Sequence, residues 1–102
     1  MTFKKLDFVA VGNNFENLLK IAGADFEYYD RKADFYERLL DKIKPIENEL
    51  PDDEKTINRY YDLYERVYNN YACAAHFRDQ LKKYMLKIER LRDDMVFFYE
   101  YA

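Results

Sequence analysis

The sequence predicts an all-α protein, and three observations carry that prediction. Apolar residues recur at alternating steps of three and four over most of the chain. Only two Gly and two Pro occur, too few turn residues for a many-stranded β sandwich or barrel. With 102 residues, 49% of them hydrophobic, the chain is apolar enough to collapse and short enough to form a single domain. The expected architecture is an antiparallel helical hairpin or a three-helix bundle, with long helices and a kink or break near residues 69–74.

The first element is an N-terminal segment over residues 1–12. Its two lysines precede an apolar run that Asp7 interrupts, too short for a signal-peptide core, and the chain reads as unprocessed and cytoplasmic. Gly12-Asn13-Asn14 marks a boundary, because either Asn can cap a helix and Glu16 stands three residues after Asn13. A helix over 14–44 follows. Phe15, Leu19, Ala22, Phe26, Tyr29, Ala33, Tyr36, Leu40 and Ile43 fill successive core slots, Lys42 and Lys44 complement the negative helix end, and Pro45 stops it. A second row of Leu18, Ile21, Tyr28, Phe35 and Leu39 lies beside the first, which widens the apolar stripe beyond a two-helix seam. This helix is therefore expected to touch more than one neighbour.

Residues 45–51 read as a loop between Pro45 and Pro51, and a helical segment over 52–102 opens on Asp52, Asp53 and Glu54, acids that suit a positive helix start. One apolar track runs Ile57, Tyr60, Tyr64, Val67, Tyr71 and Ala74; another runs Phe77, Leu81, Tyr84, Ile88, Leu91, Met95 and Phe98. They join through a three-residue slip just after Asn69-Asn70, which either overwinds a continuous helix or marks a kink. At 1.5 Å per residue the two segments would be about 46 and about 76 Å long. A continuous second helix would overhang the first by about 20 residues, whereas a fold-back near Asn69 would close a three-helix bundle.

Seventeen Lys plus Arg against twenty Asp plus Glu give a net charge of −3, which confers no general attraction to nucleic acid. The single cysteine, Cys73, forms no internal disulfide and suits a reducing compartment. No stretch reaches the length of uncharged apolar sequence that a membrane span requires.

The chemical inventory is poor for catalysis: no Ser, two Thr, one Cys and one His. Cys73 and His76 stand three residues apart among alanines, as tight helix packing would place them, and two ligands do not close a zinc site. Asp34 and Glu37 share the spacing of helical magnesium carboxylates, a spacing that by itself assigns no metal. No catalytic, cofactor-binding or metal-binding residue is therefore expected.

Three surface features remain. Glu27, Asp30, Asp34, Glu37 and Asp41 form an acidic row on one side of the first helix, with Arg31, Arg38 and Lys42 interleaved. Tyr60, Tyr61, Tyr64 and Tyr68 crowd the start of the second segment in a chain of eleven tyrosines, a residue type favoured at interfaces. Residues 78–92 carry six basic residues against two acidic ones, with Arg78, Lys82, Lys83, Lys87 and Arg90 as candidate phosphate contacts.

The leading expectation is a small non-catalytic interaction protein that self-associates or binds a larger macromolecule, with a protein partner contacting the acidic row and the tyrosines. Size and composition also suit a phage or mobile-element inhibitor of host nucleic-acid or defence machinery. The alternative is a module that binds nucleic acid or a nucleotide through the 78–92 stripe.

Overall fold

A computed structural model of the chain describes the backbone of residues 8–101 and the side chains of residues 13–97. Residues 1–7 of the expected N-terminal segment, and the side chain of Phe98 in the second track, lie outside the described residues. Two long helices, α1 (Phe8–Ile43) and α2 (Glu54–Tyr101), are joined by a short 3-10 helix at Lys44–Glu49, with no strand among the described residues.

α1 begins earlier than the Gly12–Asn14 boundary suggested. Phe8 stands seven residues before Phe15, so the core spacing continues upstream, and a helix interior accommodates Gly and Asn for about 1 kcal/mol or less each. At its other end α1 stops at Ile43, and Pro45 sits at the start of the 3-10 turn. Asp53 caps α2. Its carboxylate accepts the Lys55 amide at 3.3 Å and the Thr56 hydroxyl at 2.7 Å, and these donors hold its pKa below the ordinary 3.8.

The helices pack antiparallel along one seam. Ala22, Ala33 and Ile43 are buried from α1, and Tyr60, Val67, Ala74 and Ile88 from α2. Small residues at the seam let the two backbones approach, and Ala33 is fully enclosed. Near the turn, Ile43, Tyr60 and Val67 form a cluster joined by Tyr36, Leu39, Leu40, Leu50 and Tyr64. The Tyr60 hydroxyl donates to the Ile43 carbonyl at 2.9 Å, which satisfies an acceptor that the end of α1 would otherwise leave orphaned.

α2 runs without interruption through residues 69–74, so the expected break is absent there. The slip disappears because Arg78, not Phe77, continues the core track. Ile57, Tyr60, Tyr64, Val67, Tyr71, Ala74, Arg78, Leu81, Met85, Ile88 and Arg92 alternate steps of three and four, and each is buried or half-buried. Phe77, Tyr84, Leu91 and Met95, expected inside, are instead 39–57% exposed. An arginine can hold a seam position because its methylene stem packs while its guanidinium reaches the edge. The molecule measures 77 × 19 × 15 Å, with a radius of gyration of 22.7 Å.

Candidate interaction surface

The seam divides the surface into two flanks of different chemistry. On one flank lies the acidic row, all five carboxylates exposed. Glu27 pairs with Arg31 at 3.9 Å, Asp34 with Arg38 at 3.1 Å, and Asp30 reaches across the seam to Arg78 at 3.6 Å. The first two pairs join successive turns of one exposed helix, where such pairs contribute only a few tenths of a kcal/mol.

The tyrosine cluster divides between core and surface. Tyr60 is buried and Tyr64 half-buried, their ring centroids 6.3 Å apart. Burial, aided by the charge of Glu47, pushes the Tyr60 phenol above its ordinary pKa of 10.0. Tyr61 and Tyr68 are about half exposed and follow the acidic flank by register. The Tyr61 hydroxyl donates to the Glu47 carboxylate at 2.9 Å, an interaction that also raises its pKa.

The basic residues 78–92 do not share one face. Arg78 is largely enclosed in the seam, with Asp79 at 3.2 Å as well as Asp30. Lys82 lies toward the acidic flank, Lys87 precedes the seam residue Ile88 and so falls toward the opposite flank with Tyr84 and Leu91, and Lys83 and Arg90 are exposed on the outer side of α2. Cys73 and His76 are also exposed, the His76 ring 5.8 Å from Phe77. Among the described residues no group of three or more His, Cys, Asp or Glu is placed to hold a metal ion, and no helix is long and apolar enough to cross a membrane.

The other flank is apolar. From α1 it presents Leu18, Ile21, Tyr28 and Phe35, the last three at heptad spacing and 53–61% exposed. From α2 it presents Phe77, Tyr84 and Leu91, again seven apart. Contacts across the seam show that the two rows lie on the same side. The Phe77 ring rests 5.2 Å from that of Tyr29, and a groove of about 250 Å³ brings Tyr29, Lys32 and Tyr36 together with Asn70, Cys73, Ala74 and Phe77. A shallow recess of about 470 Å³ adjoins it, walled by Tyr28 and Phe35 with Ala24, Arg31 and Lys32 around them. The Lys32 ammonium stands 4.9 Å from the centre of the Tyr28 ring, and its interaction with that tyrosine raises its pKa.

The chain exposes 8806 Å², whereas a compact protein of the same mass exposes about 6,200 Å². The excess belongs to the elongated two-helix shape as a whole, 77 Å long and 15–19 Å across. Ile21, Tyr28 and Phe35 stand out in the sequence as a second apolar row, whereas Phe77, Tyr84 and Leu91, expected in the core, lie on the surface. Their heptad spacing one residue before the seam track is the signal that marks them as a flank.

No family model, curated protein or solved structure matches this chain.

Proposed function

We propose that this chain is a small interaction protein without catalytic activity, a helical hairpin whose working surface is the apolar flank formed by Ile21, Tyr28 and Phe35 with Phe77, Tyr84 and Leu91. The observation that carries this reading is the exposure of large side chains in two matched heptad rows, one from each helix. Large apolar side chains exposed in neighbouring rows, here with Asp25 and Lys32 set among them, are costly to leave in water and typically mark a binding surface. The acidic row, with Tyr61 and Tyr68, borders the opposite side as a charged edge that favours solubility and partner selection. Binding of a nucleic acid or nucleotide through residues 78–92 receives less support, because Arg78 is engaged by Asp30 and Asp79 and the remaining bases point in several directions.

Combined Ile21→Lys and Phe35→Lys substitutions test the reading, with far-UV circular dichroism to follow helicity. The wild-type chain should either assemble beyond one chain's mass or bind anilinonaphthalene sulfonate on an open flank. The variant should keep its helicity and do neither. A wild-type chain that does neither contradicts the proposal, as does a helical variant that behaves like the wild type.

A further inference from the structure

The α1 half of the apolar flank is close to palindromic about Tyr28. Leu18 is matched by Leu39, Ile21 by Phe35, and Asp25 by Lys32, each pair equidistant from Tyr28 to within one residue. We infer that the flank's occupant is a second copy of this chain, docked so that the two α1 helices run antiparallel across a two-fold axis at Tyr28 and Asp25 of each copy meets Lys32 of the other. This inference rests on the reading of the apolar flank as the working surface and adds the partner and its register.

A two-fold interface must be complementary to itself, because residue i of one copy meets residue j of the other and the reverse. The row satisfies this in its charges as well as its apolar members. Antiparallel docking pairs Asp25 with Lys32 twice, whereas parallel docking would place Asp25 on Asp25 and Lys32 on Lys32. The neighbouring outer row obeys the same symmetry, with Arg31 facing Ala24 and Arg38 facing Asn17, so no like charges oppose there. Among the described residues neither Asp25 nor Lys32 has an ion-pair partner within its own chain, although Glu27, Asp30 and Asp34 each have one.

Length supports the same occupant. The strip from Leu18 to Leu39 is about 32 Å long. Two copies stacked through it form a four-helix arrangement in which Phe77 and Tyr84 flank the central pair of α1 helices.

Cysteine cross-linking in a Cys73→Ala background reads the register directly. Tyr28→Cys places two thiols at the axis and should give a disulfide-linked dimer under mild oxidation. Ile21→Cys separates its two thiols by about 21 Å and should not. In parallel, Asp25→Lys should weaken dimerisation about tenfold, and adding Lys32→Asp should restore it to within about threefold. Bridging at Ile21→Cys but not at Tyr28→Cys, or a double variant no tighter than Asp25→Lys, overturns the antiparallel register. A chain of single mass at every concentration overturns the second copy as occupant, while dye binding lost in the Ile21→Lys, Phe35→Lys variant would leave the apolar flank itself upheld. A dimer indifferent to both of those substitutions overturns the inference and the underlying reading together.

Discussion

Arg78 offers a quantitative test of how α2 is built. Its side chain occupies a core-track position and is 29% exposed, with Asp30 and Asp79 at 3.6 and 3.2 Å. Both carboxylates are more than half exposed. Removing the guanidinium would therefore cost at most about 1 kcal/mol and leave no buried charge unpaired. A leucine at the same place would bury a side chain that stabilises by about 1.5–3 kcal/mol when fully enclosed, less what the arginine stem already contributes by packing. Arg78→Leu should therefore stabilise the fold by roughly 0.5–1.5 kcal/mol, whereas Arg78→Ala, which removes the stem without replacing it, should destabilise by about 1 kcal/mol. Urea unfolding followed by circular dichroism at one fixed chain concentration measures both, with an unchanged m-value confirming the same transition. An Arg78→Leu variant less stable than wild type by more than 1 kcal/mol would refute the continuous track and favour a core built on Phe77.

Three further substitutions test the turn and the seam. Tyr60→Phe should lower Tm by roughly 5 °C, because it strips the Ile43 carbonyl of its donor, while Tyr61→Phe, whose bond to Glu47 is exposed, should shift it much less; thermal melts at equal concentration compare them. Both phenols have folded pKa values raised above 10.0, so their contribution is present below that pH and is lost as pH rises through the folded values; a melt series in alkaline buffers should show the loss reduced in the Tyr61→Phe variant. Asp53 has the opposite sign. Its depressed folded pKa means that its capping contribution is complete above the unfolded value of 3.8 and disappears as pH falls through the lower folded one, so wild type should lose stability relative to Asp53→Asn on acidification in that window. Gly23→Ala should stabilise by about 0.5–1 kcal/mol in urea unfolding, since the new Cβ would meet only Met85 Cε, at an ordinary 3.8 Å.

Much of the helical framework was legible because it is local. The nine-slot track of α1 was read directly, and every member from Phe15 to Ile43 is buried or half-buried. Pro45 and the acids at 52–54 marked the turn for the same reason, since capping and proline chemistry act within a few residues. The bond from Tyr60 to Ile43 spans 17 positions, and no local pattern announces it. The second track departs from the observed seam from Phe77 onward. The seam position there is held by Arg78, which an apolar pattern does not mark, so the pattern steps to Phe77 and shows both a slip and a core that includes Phe77, Tyr84 and Leu91. The start of α1 was misread because Gly12 and Asn13 have capping chemistry, although the spacing from Phe8 to Phe15 favours continuing the helix.

The most direct test of the central claim is the solution mass of the chain by light scattering across a range of concentrations, wild type beside the Ile21→Lys, Phe35→Lys variant. The apolar flank docked on a second copy predicts a wild-type mass near twice the 12.5 kDa of one chain, and a helical variant at the single-chain mass. The same mass for both proteins would contradict it.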